Sequence, residues 1–254
     1  MKPHVAILKT DGINCDQETL YAFQKAGGLP EIVSINQLKN GSKKLCDFQI
    51  LAIPGGFSHG DDIASGKVFA LELITYFKEQ LEEFVSKGNL VIGICNGFQV
   101  LVQMGFLPFK NLGTKQATLL HNNSAKFECR WVNMIIEKSA CAFTQNLEGQ
   151  EIILPVAHGE GKFFADDDTL KILKQNSIVL RYCHDSKATQ EFPYNPNGSL
   201  HAIAGICDPS GKIFGLMPHP ERYVEYYQNP NWRRNIKMKP HGLAFFEQAI
   251  TYLK

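Results

Sequence analysis

No run of about 18 consecutive apolar residues occurs in the 254-residue sequence, so no membrane-spanning helix is expected. Neither charge is in excess. Lys and Arg total 26 against 25 Asp and Glu, a formal net charge of +1, which leaves no electrostatic case for nucleic acid, a membrane surface or another polyanion. The seven cysteines (15, 46, 95, 129, 141, 183 and 207) are odd in number and scattered, with no CxxC pair. That spacing argues against a disulfide framework and against a zinc site, and for a reducing, cytoplasmic compartment. The opening MKPHVAILKTDG lacks the apolar core and small-residue cleavage site of a secretory signal, and the N-x-S matches at Asn40, Asn122 and Asn197 then carry no meaning. Nucleotide motifs are missing as well. GxGxxG is absent, and between Gly60 and Gly66-Lys67 stand five residues rather than four, with Val68 in place of the Ser or Thr of a P-loop. Asp166-Asp167-Asp168 precedes TLKILKQ and reads as the negatively charged start of a helix, not as a metal site. No cofactor and no metal are therefore expected on this chain.

What is present is an ordinary globular composition, 44% hydrophobic and 20% charged. The first hundred residues alternate strand and helix. HVAILK, PEIVSI, FQILAIP and NLVIGI read as short, apolar strands. Between them fall a helix near Asp16–Ala26 and a long amphipathic one, ALELITYFKEQLEEFVSKG, with Leu73, Phe77, Leu81 and Phe84 on one face. Strands without alternation, separated by helices, indicate a parallel sheet covered on both faces. In the second half, KFECRWVNMII, EIILPVAH, SIVLRYC, HAIAGICD and KIFGLMP lie too close for helical crossovers, and Asp208-Pro209-Ser210-Gly211 has the residues of a type I turn joining the last two. A helix in HGLAFFEQAITYLK closes the chain. The expected fold is one α/β domain over residues 1–254, a mostly parallel central sheet flanked by helices, with antiparallel additions.

Three local features carry chemistry. In VIGICNGFQVL an apolar strand reaches Cys95 and turns at once into a helix, with Gly93 and Gly97 two positions either side. This fits a nucleophile elbow with cysteine in place of serine, and the N–H groups of a helix starting at Asn96 would favour the thiolate. A structural cysteine beside helix-packing glycines is the plainer reading, and the double glycine flank disfavours it. The second feature is Met217-Pro218-His219-Pro220-Glu221 at the end of an apolar strand. Residues two apart in extended chain point the same way, so Glu221 can orient His219; prolines on both sides are equally those of a loop. His184, in LRYCHD, competes as a base without an elbow, and His158 in HGEG can line a pocket instead. The third is Pro54-Gly55-Gly56 after a strand, where bare backbone can bring an N–H to a ligand; alone, it is also a simple turn.

Together the elbow, the His-x-Glu and the upstream PGG loop resemble the class I (triad) glutamine amidotransferases. The stretches TDGINCD (10–16), PGGFSHGDDIASGK (54–67), GICNGFQ (93–99), FECRWV (127–132), HGEGKF (158–163), NPNGS (195–199) and MPHPER (217–222) narrow the resemblance to the glutaminase subunits of phosphoribosylformylglycinamidine synthase. The resemblance covers about residues 5–225. It implies that Cys95 attacks the side-chain amide of glutamine, His219 moves protons and Glu221 orients it. It further implies that the Gly56 and Asn96 amides form the oxyanion hole and that Gln99, His158 and Gly159 contribute to glutamine binding. The partners implied are a synthetase subunit carrying ATP and Mg, and a small accessory subunit. Other readings are a class I amidotransferase serving another synthetase, a stand-alone γ-glutamyl hydrolase, and a non-catalytic regulatory subunit. Two departures stand out. His59 occupies a position where Tyr is expected, and Tyr226–His241 is longer than in compact members. Trp232, Arg233 and Arg234 in that segment are either subunit contacts or a solvated basic loop.

Overall fold

The computed structural model describes residues 2–234 and 239–254. The chain begins with β1 (His4–Lys9), α1 (Asp16–Lys25), β2 (Leu29–Ser34), α2 (Ile35–Lys39), β3 (Ile50–Ile53), α3 (Lys67–Ser86), β4 (Leu90–Ile94) and α4 (Asn96–Gln103). Then follow β5 (Ala117–Leu120), β6 (Glu128–Ile136), β7 (Glu151–His158), β8 (Lys162–Ala165), α5 (Asp167–Asn176), β9 (Ile178–His184), β10 (Lys187–Ala188), β11 (Ile203–Cys207), β12 (Ile213–Leu216) and α6 (Leu243–Tyr252). Ten strands share one sheet in the order β2-β1-β3-β4-β12-β11-β9-β6-β7, with β10 beside β9. The pairs from β2 through to β12 are parallel and those from β12 to β7 antiparallel.

The parallel core matches the expectation, and β12 joins it by lying parallel to β4 while pairing antiparallel with β11. The Asp208–Gly211 turn does connect those two, closed by the Gly211 N–H to the Asp208 carbonyl at 2.8 Å. The five strands read in the second half of the sequence are β6, β7, β9, β11 and β12; the structure adds β10 beside β9 and a separate β5–β8 ribbon. That ribbon escapes the strand pattern because ATLL and KFFA are only four residues each.

Helices cover both faces, as continuous apolar strands require. On β12, Phe214 stacks on Phe245 of α6, while the next residue, Gly215, faces Phe98 of α4. The α3 stripe of Leu73, Phe77, Leu81 and Phe84 is buried. Ser34 starts α2 with a capping box shared with Gln37, and Asp166 starts α5 by accepting from the Thr169 N–H at 2.8 Å. The aspartate run is thus a helix start. Within Tyr226–His241, residues 235–238 lie outside the described residues; in the described part Trp232 packs edge-on to Tyr226 and the Arg233 guanidinium lies over Trp232. Among the described residues no helix is long and apolar enough to cross a membrane.

Candidate active site

The site begins with steric limits at the carboxyl ends of β3, β4 and β12. A Cβ on Gly97 would fall 1.8 Å from the Ile53 carbonyl oxygen of β3, and one on Gly93 would fall 2.5 Å from the Gly97 carbonyl. The two glycines therefore serve the approach of α4 to β3 as much as the turn. Between them Cys95 is held at φ 52°, ψ −106°, a conformation rare for a side-chain-bearing residue and characteristic of strained functional positions. Its N–H donates to the Leu216 carbonyl of β12 at 2.8 Å, and its Sγ lies 3.5 Å from the Ala157 carbonyl of β7. Cys95 thus bridges the parallel core and the antiparallel wing.

His219 lies just past β12, after Met217 and Pro218. Its N–H donates to the Pro155 carbonyl at 2.9 Å, and its Nδ1 lies 2.6 Å from Glu221 Oε1. Both side chains are buried, and His219 Nε2 and Glu221 Oε2 have no hydrogen-bond partner within the protein. Burial opposes a charged imidazole, but the Glu221 carboxylate and the Cys95 sulfur outweigh it and hold the His219 pKa well above the usual histidine value. A Cβ on Gly55 would meet His219 Cε1 at 2.8 Å, Cys15 Sγ at 3.1 Å and Cys95 Cβ at 3.5 Å. Three side chains from three distant segments therefore converge over a residue that has none.

The structure places Gly56 and Asn96, the expected oxyanion donors, beside Cys95. Gly56 forms an isolated bridge with Ile13, whose hydrogen bonds run from Asn14 to the Gly55 carbonyl and from Phe57 to the Gly12 carbonyl, so neither uses the Gly56 N–H. Asn96 is the first residue of α4, where an N–H has no intrahelical acceptor. A cavity of about 160 Å³ opens beside Cys95 and is bordered by Gly56, Gln99, His158 and Gly159. A larger hollow of about 640 Å³ near Leu29 and Asp47 does not border Cys95.

Gln99, His158 and Gly159, expected to bind glutamine, line the cavity beside Cys95, but two of them are committed to protein partners. The Gln99 amide donates to the Glu160 carbonyl at 2.6 Å and accepts from Asn96 Nδ2 at 2.9 Å, so it shapes the wall. His158 Nδ1 lies 3.1 Å from Asn122 Oδ1; burial, reinforced by the charge of His219, pushes its pKa down to about 4 and keeps it neutral. Asn122 and Asn197, whose N-x-S spacing meant nothing in sequence, are buried connectors. Asn122 Nδ2 donates to the His158 carbonyl at 2.8 Å, and Asn197 Nδ2 to the Gly161 carbonyl at 2.8 Å and the Tyr182 hydroxyl at 3.1 Å. His184, the competing base, instead stacks on Tyr194 at 3.7 Å and faces solvent.

Three site residues received no role from sequence alone. Asp61, held at φ 55°, accepts from Asn96 Nδ2 at 3.0 Å and borders the cavity together with Glu160. Burial chiefly, and the charge of Glu160 in addition, raise the Asp61 pKa. Cys15 is buried against His219 and Glu221, and Arg222 Nη2 donates to its Sγ at 3.1 Å. Their only signal was membership of GGFSHGDD, HGEG and TDGINCD, stretches without chemical spacing of their own.

An elbow cysteine beside a buried His–Glu pair, at the ends of adjacent parallel strands, places the fold and site among α/β enzymes of acyl transfer. Residues 2–253 match the model of the CobB/CobQ-like glutamine amidotransferase domain. The chain belongs to that family. It is 44% identical to the phosphoribosylformylglycinamidine synthase subunit PurQ of Dehalococcoides mccartyi over 100% of this chain and 98% of that one. The protein of the same name from Treponema denticola is 47% identical over 88% and 89% of the two chains. Among solved structures, that of PurLQS from Thermotoga maritima superposes with a TM-score of 0.78 at 34% identity, covering all of both chains.

Proposed function

We propose that this chain is the glutaminase subunit of a phosphoribosylformylglycinamidine synthase, hydrolysing glutamine to glutamate and ammonia. The observation that carries the reading is the convergence of Cys95 with the His219–Glu221 pair above Gly55, the His and Glu joined at 2.6 Å. Cys95 sulfur adds to the side-chain amide carbon of glutamine, and the developing oxyanion meets the Gly56 and Asn96 N–H groups. His219, which takes the Cys95 thiol proton and is held charged by Glu221, gives that proton to the departing ammonia. The γ-glutamyl thioester is then attacked by water, whose proton passes to His219, and glutamate leaves as His219 returns that proton to the Cys95 sulfur. Glu221 holds the imidazole in register throughout, while Gln99, His158 and Gly159 form the walls against which glutamine lies.

The ammonia passes to a synthetase subunit that holds ATP and Mg and converts formylglycinamide ribonucleotide to the amidine. The likeness to the Thermotoga maritima PurLQS structure supports a complex with a synthetase subunit, and a small accessory subunit belongs to the same proposal. Seven free thiols are in keeping with a cytoplasmic setting. The test is reconstitution with the synthetase partners. Cys95→Ala abolishes glutamine-dependent amidine formation and leaves ammonia-dependent synthesis intact. Equal loss of both, or glutamine-dependent activity surviving in Cys95→Ala, overturns the assignment. Transfer of ammonia to a different synthetase would move the chain to another branch.

A further inference from the structure

The cavity beside Cys95 gathers negative charge and hydrogen-bond acceptors. Asp61 and Glu160 both border it. Asp61 Oδ1 accepts from Asn96 Nδ2 at 3.0 Å and Glu160 Oε2 from the Ser65 N–H at 3.4 Å, both neutral donors. Among the described residues Asp61 has no cationic partner, and Glu160 meets only the exposed His121, 3.9 Å from Oε1. Burial first and then the Glu160 charge raise the Asp61 pKa, as two carboxylates do when they share a site without a counter-charge. A third acceptor is His158, which borders the same cavity. Asn122 Oδ1 accepts from the Gly161 N–H at 3.1 Å, and Asn122 Nδ2 donates to the Lys126 and His158 carbonyls. Asn122 therefore turns its oxygen to His158 Nδ1, which places the ring proton there. The neutral ring is left with a bare lone pair at Nε2, and that atom is buried without a partner.

We propose that Asp61 and Glu160 bind a primary ammonium group, the α-ammonium of glutamine, and thereby select the free amino acid over amides that lack that group. An ammonium carries three N–H donors and no acceptor, which suits two carboxylates and a bare imidazole nitrogen. Calcium and magnesium suit them less, since each takes about six or more ligands, nearly all oxygen. The cavity, about 160 Å³, touches Cys95 as well as both carboxylates, so one glutamine can offer its amide to the sulfur and its ammonium to the acids. Asn96 sets the spacing between these two contacts. It follows the nucleophile in the chain, and its side chain holds the loop that carries Asp61 at two points, accepting from the Ser58 N–H at 3.2 Å and donating to Asp61 at 3.0 Å. The Gln99 amide donates to the Glu160 carbonyl at 2.6 Å, which fixes the second acid against the same helix. Glutamine as the bearer of the ammonium rests on the proposed function; the ammonium site does not.

The experiment compares L-glutamine with glutaramate, which is glutamine without its α-amino group, in the complex reconstituted with the synthetase partners. The parent should prefer glutamine in kcat/KM by roughly 100-fold or more. Asp61→Asn and Glu160→Gln keep side-chain size and remove one charge each. Either should lower kcat/KM for glutamine by about 10–100-fold, chiefly through KM, and shrink the preference over glutaramate by the same factor. Equal loss for both compounds, the mark of a merely structural role, overturns the proposal, as do parental glutamine kinetics in both variants. Calorimetric titration of the Cys95→Ala complex separates this inference from the function. A complex that binds L-glutamine in preference to glutaramate while its parent hydrolyses neither would refute the glutaminase and leave the ammonium site standing. Equal affinity for the two, or none for either, overturns the site.

Discussion

In the parallel half of the sheet the site is made of backbone, whereas in the antiparallel wing it is made of side-chain hydrogen bonds. Around β3, β4 and α4, Gly55, Gly93 and Gly97 lack side chains because a Cβ there would collide with neighbouring main chain, with Cys15 or with His219. Across β7, β8 and the 195–199 loop, Asn122, Asn197 and Ser199 tie the pocket wall together. Ser199 Oγ accepts from the Phe163 N–H at 2.9 Å, and Asn195 Nδ2 donates to the Ser199 carbonyl at 3.0 Å. The first kind of construction fails when atoms are added and the second when polar atoms are removed. The two histidines follow the same division: His219, at the end of the parallel core, is held charged beside Glu221, and His158 in the wing is held neutral by burial.

The sharpest way to break the comparison is Gly97→Ala. With its Cβ 1.8 Å from the Ile53 carbonyl oxygen, α4 must move off β3, and unfolding in urea should show a loss above about 3 kcal/mol. A variant as stable as the parent would show that this approach is not close-packed. Next comes the pH response of His158. Its folded pKa lies near 4 against about 6.5 unfolded, so the unfolded chain takes up a proton first as acid is added. The contribution is complete above pH 6.5 and disappears as pH falls toward 4, about 3 kcal/mol at most. His158→Gln should flatten that portion of the stability–pH curve, and an unchanged slope would contradict a neutral buried ring. His219 has the opposite sign: its contribution is present below pH 6.5 and lost as pH rises through its raised folded value.

Asn197→Ala probes the wing directly. It strands the buried Tyr182 hydroxyl, leaves the Gly161 carbonyl only the longer bond from Ser199 Oγ at 3.3 Å, and should cost about 1–3 kcal/mol in thermal or urea unfolding. Because the 158–163 turn carries one wall of the cavity, the KM for glutamine should rise more than kcat falls. The smallest effect is expected from Asp166→Ala, which removes the α5 cap at about 1 kcal/mol and leaves glutamine turnover at the parental rate.

What could be read in advance follows the same line. The elbow around Cys95 and the His219-Pro220-Glu221 pair were legible because each is local: a sharp turn or an i, i+2 relation is written within a few residues. Gln99, His158 and Gly159 were legible as pocket residues through resemblance, but the bonds that commit Gln99 to Asn96 and Glu160 were not. Asp61, Glu160 and Cys15 stayed silent because their neighbours come from segments between about 35 and 205 residues away, and a carboxylate or thiol in isolation has no spacing to recognise. The β5–β8 ribbon and the two-residue β10 were hidden because short strands acquire meaning only from their partners.

By itself the amino-acid sequence determined the elbow, the His-x-Glu pair, the apolar parallel strands and the absence of nucleotide motifs, all matters of local sterics and of periodicity along the chain. Tertiary structure decided which thiols share the imidazole, which polar atoms of the pocket are already bonded, and which histidine carries charge. Those depend on burial and on distances across the sheet, and a residue's dielectric surroundings are set by whatever the fold packs against it.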